Sequence, residues 1–319
     1  MVIIIGSGPI GLATAIELKK RGIKSLIIDR GCLVNSIYNY PVNMTFFSTS
    51  ERLEIGNIPF ISHGPKPTRK EALEYYRRTA EHYKLDVKLY EEVKAVNGSD
   101  GDFEVITEKG SYKGEKVVLA TGFYGQENPM NVPGEHLSKV LHYYDEPHRY
   151  AWQNVLVVGG GNSAADVALE TWRCKANVSI LVKHDTLKPS IKYWVKPDID
   201  NRIKEGSITG YFNSEVVEIR KDEVDIQTPD GQKTIKNDFV LAMTGYRPHF
   251  GLMKKLGIEL TEDEVKMPVH NEKTLETNRR GLYVAGVVCG GMDTSRLFIE
   301  NTRIHAEHIA EDIEKHISN

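Results

Sequence analysis

The chain is poor in features that mark several functional classes. Its three cysteines, Cys32, Cys174 and Cys289, stand far apart and form no CxxC pair, so neither a disulfide framework nor a zinc site is expected. No apolar run approaches the roughly 20 residues that span a bilayer, and Met1 leads straight into an apolar strand with no basic n-region. A soluble cytoplasmic protein is therefore the expectation, with no membrane partner. Basic excess is also lacking: the net charge is −3, which argues against nucleic acid as a partner. What remains is 319 residues with 40% hydrophobic content, enough for two domains that each bury a sizeable core.

Glycine is placed with purpose. Gly6-Ser7-Gly8-Pro9-Ile10-Gly11 follows the short apolar run Val2 to Ile5 and opens a helix that stops at about Arg21-Gly22. Pro9 suits the first helical turn, where a missing N–H costs nothing. A second apolar strand, Ser25 to Ile28, ends in Asp29, where a ribose hydroxyl needs an acceptor. That completes a βαβ unit. Gly8 lets the backbone approach a pyrophosphate, Gly11 lets helix pack on strand, and the helix N-terminus supplies N–H groups and partial positive charge.

The pattern recurs at mid-chain: strand Asn154 to Val158, Gly159-Gly160-Gly161-Asn162-Ser163-Ala164, a helix from about Asn162 to Cys174, and strand Val178 to Val182. Here the carboxylate position holds Lys183-His184, with Lys188 close behind. Cations attract a 2′-phosphate where a carboxylate would repel it, so the second site reads as NADPH. Short basic clusters also occur as plain solvated loops.

Each motif is followed by similar elements. After the first come the irregular stretch Asn35 to Phe60, too long for a mere connection, a helix from about Arg69 to Tyr83 capped near Pro67-Thr68, and strands Val87 to Tyr90, Phe103 to Thr107 and Lys116 to Leu119, the last ending in Thr121-Gly122. After the second come strands Ser214 to Arg220 and Glu223 to Thr228, a turn at Asp230-Gly231, and Phe239 to Met243 ending in Thr244-Gly245. A strand in Gly281-Leu-Tyr-Val-Ala-Gly286 and a helix from about Thr294 to His316 close the chain. The expected fold is α/β, two Rossmann-like dinucleotide-binding domains, with the late strand returning to the first.

These elements, in this order, resemble the two-dinucleotide flavoproteins of the thioredoxin reductase type, which implies a discontinuous FAD-binding domain over 1–122 and 246–319 and an NADPH-binding domain over 123–245. Thioredoxin reductases carry CxxC in the NADPH domain, and this chain has none. The F-x-G-x-x-x-H-x-x-x-W/F pattern of flavin monooxygenases fails as well: aligned on His142, the chain has His136, Ser138 and Glu146. The stretches NSIYNYP (Asn35 to Pro41), TFFSTSERLEIG (Thr45 to Gly56), IKNDFVLAMTGYRP (Ile235 to Pro248), and GLYVAGVVCGG followed by Phe298-Ile-Glu-Asn301 closely resemble the bacillithiol disulfide reductases of the YpdA type, over most of the chain.

The resemblance implies FAD on Gly6, Ser7, Gly8, Pro9, Ile10, Gly11, Asp29, Arg30, Asn35, Thr45, Ser48, Val93, Thr121, Gly122, Gly286 and Ile299. It implies NADPH on Gly159, Gly161, Asn162, Ser163, Ala164, Lys183, His184, Lys188, Thr244 and Gly245. It also implies hydride transfer from NADPH to flavin and two-electron reduction of an acceptor, with the helix from Thr294 aimed at the flavin. Gly286-Val287 stands where thioredoxin reductases commonly have Gly-Asp. Members of the family place a cysteine inside the first glycine motif; here that position is Ile10, and Cys289 is the replacement to consider against its reading as a small packed residue. The catalytic residue is otherwise left unassigned, and no metal is expected: His305 and His308 lack a third ligand nearby. Lys192, Tyr193 and Trp194 line the NADPH groove or a packed loop, and Glu71 to Glu81 reads as an exposed helix face. The acceptor is a small-molecule disulfide, or a small redox protein such as ferredoxin or flavodoxin; a sensor or partner-binding module that holds both dinucleotides is the third reading. A homo-oligomer stays open.

Overall fold

The computed structural model describes residues 1–317. The chain forms two compact units, Met1–Asn39 with Asn43–Gln126 and Tyr246–Asn319, and Tyr40–Val42 with Glu127–Gly245. Each is a five-stranded parallel sheet accompanied by a three-stranded antiparallel sheet.

In the first unit the sheet order is Leu282–Val284, Lys116–Leu119, Val2–Ile5, Ser25–Ile28, Val87–Lys88. Val2–Ile5 is central, with Val2 opposite Ser25 on one side and Lys116 on the other. A central parallel strand is covered on both faces, so all four of its residues are apolar and buried. The helix Pro9–Lys20 starts with Pro9 at its first turn and ends at Arg21, after which Gly22 takes a positive φ of 73°. The final helix, His305–Ile317, packs against it, and Arg21 faces Glu311 and Glu314 across that contact. Val93–Ser99, Asp102–Thr107 and Ser111–Gly114 form the antiparallel meander.

The stretch Asn35 to Phe60 is ordered by tyrosines of the helix Arg69–His82. The Tyr75 hydroxyl accepts from Ile55 N at 2.9 Å and donates to Ile58 O at 2.8 Å, while the Tyr76 hydroxyl donates to Leu53 O at 2.9 Å. Two short helical turns, Asn35–Tyr38 and Ser50–Leu53, interrupt what the sequence suggests is irregular. Thr68 and Glu71 close a capping box on the Arg69–His82 helix; the amides and hydroxyl that Glu71 binds hold its pKa below the usual carboxylate range.

The closing helix is corrected. It begins at Ile299 rather than Thr294, lasts four residues to Thr302, and resumes at His305. Short polar side chains hold the preceding segment out of the helix: Asp293 accepts from Ser295 Oγ at 2.9 Å, and Asn301 accepts from Phe298 N at 2.8 Å while donating to Arg296 O at 2.9 Å. The helix start expected at Thr294 therefore lies five residues later, at Ile299.

The second unit repeats the plan. Its parallel sheet runs Thr209–Phe212, Asn177–Val182, Asn154–Val158, Phe239–Ala242, Val140–Leu141, and its meander is Glu215–Ile219, Glu223–Thr228, Gly231–Lys236. The helix Asn162–Arg173 buries Ala164, Ala165, Val167, Ala168 and Leu169 on a core with Val155, Val157, Val178 and Ile180.

Candidate functional site

In the first unit the glycine turn is built from close backbone approaches. A Cβ on Gly6, whose φ is +113°, would lie 2.4 Å from Ala120 O, and one on Gly11 would lie 2.0 Å from Gly6 O. Gly8 differs, because a Cβ there meets nothing within 4 Å. The space above Gly8 is open at the start of a helix whose N-cap has no side-chain hydrogen bond, an arrangement suited to a phosphate.

Asp29 ends the next strand. Its Oδ2 accepts from Ser7 N at 2.6 Å and Ser7 Oγ at 2.8 Å, and its Oδ1 accepts from Gly31 N at 2.8 Å. A carboxylate offers about four lone-pair sites, so capacity for a sugar hydroxyl remains. Asp29 borders a cavity together with Gly6, Arg30, Val93, Thr121 and Gly122. Arg30 Nη2 donates to Gly125 O at 2.9 Å on its wall.

Among the cavity residues with no counterpart in the sequence candidates are the basic residues Lys94, Arg247 and His249. His249 Nδ1 accepts from Leu252 N at 2.9 Å and caps the short helix Phe250–Lys255. Arg247 Nε is buried with no hydrogen-bond partner among the described residues, and an orphaned guanidinium nitrogen at a cavity wall calls for an acceptor on a ligand. The signals for it in the sequence are the stretch Ile235 to Pro248, which contains it, and its place two residues beyond Thr244-Gly245, where the chain returns to the first unit.

The other first-unit candidates lie outside this cavity. Ile10 is buried, and a Cβ on Gly286 would sit 3.1 Å from its Cγ1. Gly286 N donates to His305 Nδ1 at 3.2 Å, and Cys289 Sγ is 3.9 Å from the same nitrogen. Burial pushes the Cys289 thiol up to about 12; its neighbours are Leu282, Val284, Val288 and Met253 in an apolar cluster. The His305 imidazole is pulled down to about 4 by burial, then by His270 and His308. Among the described residues no three potential metal ligands gather. Asn35 opens a helical turn and accepts from Cys32 Sγ at 3.5 Å; Thr45 bridges to Thr68; Ser48 is half-buried; Ile299 begins the four-residue helix.

In the second unit Gly159 has φ +140°, and a Cβ on it would lie 2.4 Å from Met243 O. Gly161 caps the Asn162–Arg173 helix without a side-chain bond, and Ala164 is buried in its first turn while Ser163 is exposed. The loop after Val182 folds back over this turn: Lys188 N donates to Gly160 O at 2.8 Å, Asn162 Nδ2 donates to Ser190 O at 3.1 Å, and Asn162 Oδ1 accepts from Lys192 N at 2.9 Å. Lys183, His184 and Lys188 are all exposed there. Lys192 pairs with Asp166 at 2.8 Å, while Tyr193 and Trp194 form an exposed edge-to-face pair. Thr244 Oγ1 donates to Asn128 O at 2.6 Å, and Gly245 has φ +89°.

The Pyridine nucleotide-disulphide oxidoreductase family matches residues 3–286. The chain is 44% identical over 315 residues to the Bacilliredoxin reductase Bdr of Bacillus subtilis, spanning 98% of this chain and 97% of that protein. Solved structures of Bacillithiol Disulfide Reductase Bdr (YpdA) superpose with a TM-score of 0.96 at 42% identity: the Staphylococcus aureus one over 99% of this chain and 98% of that, the Bacillus cereus one over 99% of each. Lactococcus lactis thioredoxin reductase shares the fold at 21% identity, with a TM-score of 0.78 over 99% of this chain and 98% of that.

Proposed function

The chain belongs to the pyridine nucleotide-disulphide oxidoreductases, and from that premise we propose that it spends NADPH, through FAD, to reduce bacillithiol disulfide or the same thiol held as a mixed disulfide on a bacilliredoxin. It is an oxidoreductase whose cofactors are FAD and NADPH. The observation that carries the substrate is the near full-length match to reductases of that name, at 44% and 42% identity.

The first unit, Met1–Asn39 with Asn43–Gln126 and Tyr246–Asn319, takes FAD. Gly8 leaves room for the pyrophosphate at the helix start, Asp29 accepts from the ribose, and Arg247 Nε meets an acceptor of the adenosine end. Bound FAD supplies hydride acceptance and two-electron delivery. In residues 123–245 the turn Gly159–Gly161 takes the NADPH pyrophosphate, and Lys183, His184 and Lys188 take the 2′-phosphate. Ile10 offers no sulfur, and the Cys289 thiol is buried and held protonated, so the disulfide is reduced without a mixed disulfide at either position. No helix among the described residues is long and apolar enough to cross a membrane, and we place the reaction in the cytoplasm.

Ile10 favours a second reading: without a thiol beside the glycine turn, the reducing equivalents go to a ferredoxin or flavodoxin. NADPH consumption by the yellow purified protein decides between them. Turnover above the oxygen background with bacillithiol disulfide or bacilliredoxin mixed disulfide supports the first; turnover confined to ferredoxin or flavodoxin overturns it.

A further inference from the structure

A carboxylate reaches the second site from an element the glycine fingerprint does not include. The strand Asn177–Val182 pairs in parallel with Thr209–Phe212, placing Val182 opposite Phe212. Beyond their ends the two segments stay together: Asn213 N donates to His184 O at 3.0 Å and Ser214 N donates to Val182 O at 3.1 Å. This brings Glu215, the first residue of the next strand, beside Lys183, with Lys183 Nζ 3.0 Å from Glu215 Oε1. The remaining charges on the loop are arranged differently. Among the described residues Lys188 and His184 enter no ion pair, and the Asp185 carboxylate meets only the Thr186 hydroxyl, at 3.4 Å.

We infer that Glu215 sets how strongly this site prefers a 2′-phosphate to a free 2′-hydroxyl. The inference rests on the assignment of this loop to the NADPH ribose. In a NAD-type site a carboxylate at the end of the second strand accepts from the ribose hydroxyls. Here that chain position is a lysine, and the carboxylate arrives from the neighbouring strand. The two side chains pull in opposite directions. Lys183 attracts the phosphate dianion, while Glu215 both occupies the ammonium and repels any phosphate that binds it. With a free 2′-hydroxyl the same carboxylate becomes a hydrogen-bond acceptor, and Lys183 keeps its partner. The pair is 75% and 61% exposed, so the effect is that of a solvated ion pair and remains modest. Lys188, in no ion pair among the described residues and with its backbone bound to Gly160 O, keeps the site positive when Lys183 is engaged.

The test reads binding directly on the FAD-loaded protein. Calorimetric titration with adenosine 2′,5′-bisphosphate and with 5′-AMP gives the ratio of the two dissociation constants, for the native chain and for Glu215→Gln, Lys183→Gln and Asp185→Asn. We expect Glu215→Gln to raise the preference for the bisphosphate about two- to five-fold, Lys183→Gln to lower it, and Asp185→Asn to leave it near the native ratio. A ratio that moves with Lys183→Gln and stays fixed with Glu215→Gln overturns the role of Glu215 alone. A ratio that answers to neither overturns both this role and the placement of the 2′-phosphate on the loop. Equal increases from Glu215→Gln and Asp185→Asn overturn it too, because the effect is then general charge and not this pair.

Discussion

The carboxylate of Asp29 accepts both the amide and the hydroxyl of Ser7, at 2.6 and 2.8 Å. One side chain thus braces the glycine turn from the end of the adjacent strand and also borders the cavity. Asp29→Ala removes both acceptors and leaves the buried Ser7 amide unpaired, a loss of about 1–3 kcal/mol. The expected outcome is a lower urea midpoint and a reduced flavin-to-protein absorbance ratio after desalting, with Asp29→Asn recovering part of the stability.

Gly8 and Gly11 separate binding from folding. A Cβ on Gly8 enters open space, whereas one on Gly11 collides with Gly6 O at 2.0 Å. Gly8→Ala is expected to leave the thermal midpoint of the flavin-free protein near native while cutting flavin content. Gly11→Ala is expected to cost about 3 kcal/mol or more. Equal thermal losses would contradict this division.

Stability should fall on mild acidification through His305. Its folded pKa lies near 4, below the ordinary 6.5, so the unfolded chain binds the proton first. The contribution is complete above about pH 6.5 and is lost as pH drops toward 4. Between pH 7 and pH 5 the loss is about 2 kcal/mol. Urea titrations at both pH values should show a steeper decline for the native protein than for His305→Asn, whose amide oxygen can still accept from Gly286 N.

Cys289 is expected to act by packing. Cys289→Ala should cost about 1 kcal/mol of stability and leave turnover with the physiological acceptor within about two-fold. Collapse of turnover at unchanged stability would return the thiol to the chemistry.

Elements whose pattern is set by local chemistry are legible in the amino-acid order itself. Val2–Ile5 and Asn154–Val158 carry apolar runs because both their faces are covered, and glycine turns bound them. Pro67-Thr68 announces a helix start, to which the structure adds Glu71 as the second half of the cap. The strand Val93–Ser99 is hidden in the sequence because only Val93 and Val96 are buried, while Lys94, Asn97, Gly98 and Ser99 are exposed, which blurs its period of two. The helix expected from Thr294 starts later because of side-chain bonds from Asp293 and Asn301 that only become decisive in three dimensions. Arg247 lies in the stretch Ile235 to Pro248, but its place at the cavity, like that of Glu215 beside Lys183, depends on packing between distant segments that neither glycine motif encodes.

The sheet of the first unit is finished out of order. Leu282–Val284 pairs with Lys116–Leu119, yet all of Glu127–Gly245 is synthesised between them. During translation the intervening unit has its five parallel strands available while its neighbour still lacks an edge, so Lys116–Leu119 waits with unpaired backbone groups. Nascent chains arrested once Gly245 has left the ribosome, and before Leu282 has, should therefore protect the second unit from protease while the first remains open, and the last stretch of synthesis becomes the step that closes the first.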